Sequence, residues 1–155
     1  MAIRSIMTVG TEVLREKAKP VAEFNEKLAV LLDDMRETML DAKGAGLAAP
    51  QVGILRRVAV VTVDEGATVY ELVNPVIIDS SGEQIENEGC LSIPDKSGYV
   101  KRPTKITIKA RNRHGKEIEV TSGDDPFLAI AFCHELDHLD GVLYTDKVIE
   151  GYEKK

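Results

Sequence analysis

The amino-acid sequence predicts an α+β fold, and two observations carry that reading. A helical pattern lies near each end of the chain, and between them run short segments rich in β-branched residues, punctuated by Gly and Asn. These central segments read as antiparallel strands.

The first helix is read from Leu28, Leu31, Leu32, Met35 and Met39, which recur on one helical face. Asn25 is placed as its N-cap and Gly44 just past its end. The two methionines read as core. Extended segments follow at about residues 57–63, 70–78, 105–111 and 117–121. The last two are joined through Asn112-Arg113-His114-Gly115, so His114 is expected in a solvated hairpin turn and not at a metal. The closing helix starts where Asp125 caps Pro126 at the first helical position, and it ends at Gly141.

The 155 residues suit a single domain spanning 1–155, and the composition, 43% hydrophobic and 30% charged, is that of a globular chain. No apolar run reaches the ~20 residues a membrane-spanning helix needs. The first ten residues lack a signal-peptide core, so a cytoplasmic location is expected. A net charge of -6 argues against direct nucleic-acid binding through phosphate neutralisation. The only cysteines, Cys90 and Cys133, read as ligand or core residues of a reducing compartment and not as a disulfide.

Within the closing helix, His134-Glu135-Leu136-Asp137-His138 forms an H-E-x-x-H motif. Histidines four apart stand one above the other on a helix, so both imidazoles can meet one metal ion. The glutamate between them points to the same cavity and suits proton transfer, first from water and then to a leaving amine. An ordinary amphipathic helix with two partly buried histidines is the competing reading of the bare motif. A catalytic metal site wants three protein ligands and one open position. Downstream of His138 only Glu150 and Glu153 are available near the end, a poor route. Upstream, Cys90 stands in Glu88-Gly89-Cys90-Leu91-Ser92, which makes a Cys-His-His site the natural proposal, against the alternative that Cys90 is a small buried hydrophobe. A third segment, Gly44 to Gln51, is too small-sided to fill a core. It either lets an extended peptide approach the backbone, with Gln51 offering an amide donor, or is a flexible loop after the helix.

These three segments, in this order, resemble the signature motifs of the peptide deformylases: Gly44 to Gln51, Glu88 to Ser92, and H-E-L-D-H-L-D-G from His134 to Gly141. The likeness extends over nearly the whole chain, from Val13-Leu14-Arg15 and Ala18-Lys19-Pro20 onward. It implies antiparallel sheets wrapped around a central helix bearing the H-E-x-x-H motif. It also implies a hydrolase that removes the N-formyl group from the initiator methionine of nascent polypeptides, working in proximity to the ribosome. Its metal is expected to be Fe(II), replaceable by zinc, nickel or cobalt. Position by position, the resemblance makes Cys90, His134 and His138 the metal ligands and Glu135 the general base and acid. Gln51, through its side chain, and Leu91, through its backbone N–H, would hold the oxyanion. Backbone groups of Ala45, Gly46 and Gly89 would bind the peptide as an added strand. Phe127, Ile130 and Ala131 would line the methionine pocket, with Glu86 at its mouth. Arg102 is placed beside the site, paired with Glu88 or Asp137.

The chain departs from the commoner family pattern at Cys133, where many relatives carry glutamine. One helical residue is about 100° of rotation, so Cys133 is expected to face away from the metal. The long basic C-terminal helix with which some bacterial members dock on the ribosome is also not found before Lys155. Two other readings are a zinc peptidase, which the Cys90 segment opposes, and a non-catalytic binding protein of the same fold, which retention of Glu135, Gln51 and the three ligands opposes.

Overall fold

The computed structural model of the chain describes residues 2–152. Met1 and residues 153–155 lie outside the described residues, and with them the end of the lysine-ended stretch from Glu150 to Lys155, whose sequence reads as a short solvated terminus.

Helix α1, Glu26–Asp41, begins as the sequence predicts: Asn25 Oδ1 accepts a hydrogen bond from the Leu28 N–H at 3.2 Å, meeting one of the donors a helix start leaves unpaired. Its Leu28, Leu31, Leu32, Met35 and Met39 are all buried. Its end falls just before Gly44, as read from the sequence. The left-handed residue is Lys43, with φ 57°, and the Gly44 N–H reaches back to the Met39 carbonyl at 3.0 Å, which closes the helix in a Schellman arrangement. Gly44 is small for another reason: a Cβ there would lie 2.7 Å from Leu91 Cδ1.

Five strands form an antiparallel sheet in the order β1-β2-β3-β6-β7: β1 Gly46–Ala48, β2 Val58–Val61, β3 Tyr70–Ser81, β6 Lys105–Arg111 and β7 Glu117–Thr121. A separate hairpin pairs β4, Gln84–Cys90, with β5, Ile93–Arg102. Strand β2 is buried along its whole length because both faces of the sheet are covered. Val58, Val60 and Val73 pack with α1. On the opposite face Val61, Leu72, Ile106, Ile108 and Ala110 pack with helix α2, Pro126–Leu139.

Helix α2 therefore lies between the sheet and the β4–β5 hairpin, the wrapped arrangement the resemblance implied. Asp125 caps it, accepting from the Leu128 N–H at 3.1 Å, with Pro126 at its first position. Gly141, at φ 75°, ends it, and a Cβ there would press on the Arg15 carbonyl. Arg57 donates to the Leu139 carbonyl at 2.9 Å, matching a cation to the negative helix end.

Strands β1, β4 and β5 were not predicted. The sequence of β1 is only Gly-Leu-Ala. The β4–β5 sequences are polar and interrupted by Gly and Pro, so they lack the apolar alternation that marks a half-buried strand. Strand β3 also runs three residues further than expected, to Ser81.

Candidate metal centre and substrate cavity

The first turns of α2 are apolar, and its buried side is carried by Leu128, Ala129, Phe132 and Leu136. The same helix places His134 and His138 one turn apart, with ring centroids 5.0 Å apart. Across from them the β4–β5 ladder is bulged on the β5 side: Glu88 opposes Gly98 but Cys90 opposes Ile93, so Pro94 to Ser97 face Gly89 alone. Cys90 ends β4 facing α2, its Sγ 3.3 Å from His138 Nε2. Ligand atoms of Cys90, His134 and His138 all lie within 4.8 Å of one another.

The surrounding groups suit a cation. His134 Nδ1 is 3.0 Å from Glu88 Oε1, an arrangement that assigns the proton to Nδ1 and leaves Nε2 free as a ligand atom. Burial opposes a charge on His134, but Glu135, Cys90 and Glu88 outweigh it and hold its pKa up at about 10. Anions that would keep a proton there favour a metal cation equally. Burial, helped by the charges of His134 and Arg102, pushes His138 down to about 3, so it stays a neutral imidazole, as a metal ligand must be. His138 Nδ1 and Glu135 Oε1 are buried without a hydrogen-bond partner among the described residues. A soft thiolate with two imidazoles fits Fe(II) or zinc better than magnesium or calcium.

Behind the ligands, Arg102 donates to Glu88 from Nε at 2.8 Å and from Nη2 at 3.1 Å, and to Asp137 from Nη1 at 2.6 Å. The expected pairing with one carboxylate is thus a pairing with both. Burial favours protonated Glu88, but its bonds from His134 and Arg102 prevail and hold its pKa below the ordinary carboxylate value.

In front of the ligands lies a cavity of about 800 Å³. Gly44, Ala45 and Gly46 form one wall, Glu86 to Leu91 another, and Phe127, Ile130, Ala131, His134 and Glu135 a third, with Gln51 also lining it. Each predicted substrate-contact residue is therefore at the cavity. Phe127 is half exposed at its rim. Glu135 is buried so closely beneath β1 that a Cβ on Gly46 would collide with its carboxylate. Burial pushes the Glu135 carboxyl up to about 7, within reach of both protonation states at neutral pH.

Gln51 is oriented by its backbone surroundings. Its Oε1 accepts from the Ala48 N–H at 2.9 Å, so Nε2 must face the other way, where it meets Ser92 Oγ at 3.0 Å and Cys90 Sγ at 3.6 Å. Ser92 is fully buried and ties the first motif segment to the second. It stands inside Glu88 to Ser92, but its sequence neighbours do not show which side chain it would meet. Cys133 faces the sheet, as expected, in the cluster with Val61 and Leu72, where burial pushes its thiol up to about 11. His114 is exposed at the β6–β7 turn, where Asn112 Oδ1 accepts from its backbone N–H.

Residues 3–154 match the family model described as polypeptide deformylase. The chain belongs to the polypeptide deformylase family. Membership carries the family's activity, hydrolytic removal of the N-formyl group from nascent peptides, and its dependence on a metal. A peptide deformylase of Heliobacterium modesticaldum is 55% identical over 148 residues, covering 96% of this chain and 95% of that one. A peptide deformylase of Acetivibrio thermocellus is 53% identical over 149 residues, covering 96% and 85%. The crystal structure of a peptide deformylase from Legionella pneumophila superimposes with a TM-score of 0.91 at 43% identity, covering 96% of this chain and 88% of that one. The α+β architecture around α2 is thus that of the family's solved structures.

Proposed function

We propose that Cys90, His134 and His138 hold the catalytic ion of this hydrolase, and that Glu135 moves the proton in deformylation. The observation that carries this reading is the meeting of the three ligand atoms within 4.8 Å of one another beside the cavity that Cys90, His134 and Glu135 line. The ion is Fe(II), with zinc, nickel or cobalt able to take its place. When bound it supplies Lewis acidity to the formyl carbonyl and to the attacking water.

The remaining steps belong to side chains and backbone. Glu135 takes a proton from the attacking water as the water oxygen bonds to the formyl carbon. It then delivers that proton to the amine nitrogen as the C–N bond breaks, leaving formate and a free methionine amine. Gln51 Nε2, held towards Cys90 by the Ala48 bond, and the Leu91 backbone N–H stabilise the oxyanion. Among the described residues strands β1 and β4 each pair along one edge only, and both line the cavity. A peptide laid between them gains backbone hydrogen bonds from Ala45, Gly46 and Gly89 as an added strand. Phe127, Ile130 and Ala131 take the methionine side chain, with Glu86 at the mouth.

Residues 1–155 act as one domain. No described helix is long and apolar enough to cross a membrane, and a substrate made during translation favours a cytoplasmic enzyme working near the ribosome.

Substituting Glu135→Gln tests the assignment. Metal content should stay at the parent level while turnover of formyl-Met peptides falls by at least ~10²-fold, the usual cost of losing a general acid-base group. Loss of the metal would make Glu135 a ligand, and near-normal turnover would remove it from the reaction.

A further inference from the structure

The short 3-10 turn Tyr144–Asp146 comes four residues after α2 and brings Tyr144 against His134. Tyr144 is 2% exposed, and its ring stacks on the His134 imidazole with centroids 6.0 Å apart and planes 25° apart. The same ring belongs to the apolar cluster of Leu14, Ile93, Val100 and Leu143, against which Cys90 packs. Tyr144 therefore touches the surroundings of two of the three ligands.

The turn is well anchored. Leu143 N–H donates to Asp146 at 3.1 Å, and Arg15 forks onto the same carboxylate. Ile149 N–H donates to the Tyr99 carbonyl of β5 at 2.9 Å, and Lys147 Nζ lies 3.1 Å from Asp137. The Tyr144 hydroxyl, in contrast, is buried with no hydrogen-bond partner among the described residues. Among the described residues it is the ring, and not the hydroxyl, that makes the contacts placing Tyr144.

We propose that Tyr144 is a positioning residue of the metal centre, its ring fixing the plane of the His134 imidazole while Glu88 fixes that imidazole's edge. One hydrogen bond at Nδ1 still permits the imidazole to tilt about the Nδ1···Glu88 line. An aromatic face stacked at 25° restricts that tilt, because offset stacking is directional. Nε2 then points steadily at the place where Cys90 and His138 converge. The proposal rests on the assignment of His134 as a ligand.

The test compares Tyr144→Phe, which keeps the ring, with Tyr144→Leu, which keeps apolar bulk alone, in the full chain loaded with cobalt. Tyr144→Phe should retain parent metal affinity and the parent visible absorption of the cobalt form. Tyr144→Leu should release cobalt to a competing chelator with roughly tenfold weaker affinity, as loss of a supporting contact does, and its absorption bands should shift. Should Tyr144→Leu fold poorly, Tyr144→Met, whose unbranched chain fills irregular gaps, serves the same comparison. Unchanged affinity and spectrum in the aliphatic variants would overturn the proposal. Equal loss in Tyr144→Phe would move the role from ring to hydroxyl and overturn it too. Failure of the parent itself to bind cobalt through a thiolate would instead overturn the ligand assignment.

Discussion

Arg102 and Glu88 form a two-point fork at 2.8 and 3.1 Å, with both side chains almost wholly buried and Glu88 bonded in turn to His134 Nδ1. A charged pair at this depth is held by geometry and not by solvent, and its second bond reaches a candidate metal ligand. Breaking it by Arg102→Met leaves Glu88 buried without its main cation. We predict a loss of about 3–5 kcal/mol in unfolding free energy, the usual cost of stripping one partner from a buried pair. Denaturant titration checks this, and a loss below ~1 kcal/mol would contradict it.

Two glycines of the cavity wall should respond oppositely. A Cβ on Gly46 falls 2.7 Å from Cγ and Cδ of Glu135, a buried group with little room to retreat. A Cβ on Gly89 meets only the Lys96 carbonyl, at an ordinary 3.6 Å. Gly46→Ala should therefore cost ~1–3 kcal/mol from overpacking and depress turnover by displacing Glu135. Gly89→Ala should fold with near-parent stability. Melting curves that rank the two variants the other way would refute this.

Acid should release the N-terminal segment. Asp34 is buried on α1 and accepts from the Ala2 backbone at 2.8 Å and from Arg4 Nε at 3.0 Å. Burial would raise its pKa, but these donors and the Arg4 charge prevail and hold it below the ordinary value. A carboxylate depressed on folding stabilises above its unfolded pKa of ~3.9, and that stability is lost as pH falls through the lower folded value. The stability gap between the parent and Asp34→Asn should be present at neutral pH and close in strong acid. A gap that stays constant from neutral pH down into acid would show that Asp34 acts through packing alone.

Oxygen should distinguish the metals. A Cys90 thiolate on Fe(II) is open to oxidation, so the iron form should lose activity in air faster than the nickel-exchanged form. Equal lifetimes would count against iron as the working ion or against Cys90 as its ligand.

The acyl group should be selected by size. If, as proposed, Gly46, Gly89 and Leu91 close around the formyl carbon, acetyl-Met peptides should be cleaved more than ~200-fold more slowly than formyl-Met peptides, beyond what a missing pocket for one methyl accounts for. Comparable release from both, or peptide-bond cleavage of free-amine Met tripeptides, would contradict the active-site reading.

What the chain determines on its own is whatever depends on local periodicity and short spacing. The cap at Asn25 and the start of α2 at Asp125 and Pro126 follow from capping chemistry, and the helical stacking of His134 and His138 and the turn of Cys133 away from the ligands follow from 3.6 residues per turn. The Cys90 and Gln51 segments were legible as small-sided, chemistry-bearing stretches, and their joint resemblance to one family brought them together.

Tertiary structure decided the rest. The polar β4–β5 hairpin carries little apolar signal, and its pairing is stabilised by the partner strand and by Arg102 bridging to α2. That Arg102 meets both carboxylates, that Ser92 receives Gln51, and that Tyr144 stacks on His134 are contacts between segments distant in sequence or separated by a turn. No local pattern encodes them, because a side chain's partner across the fold depends on register, bulge and crossing geometry. Those are set only when the sheet, the hairpin and α2 pack together.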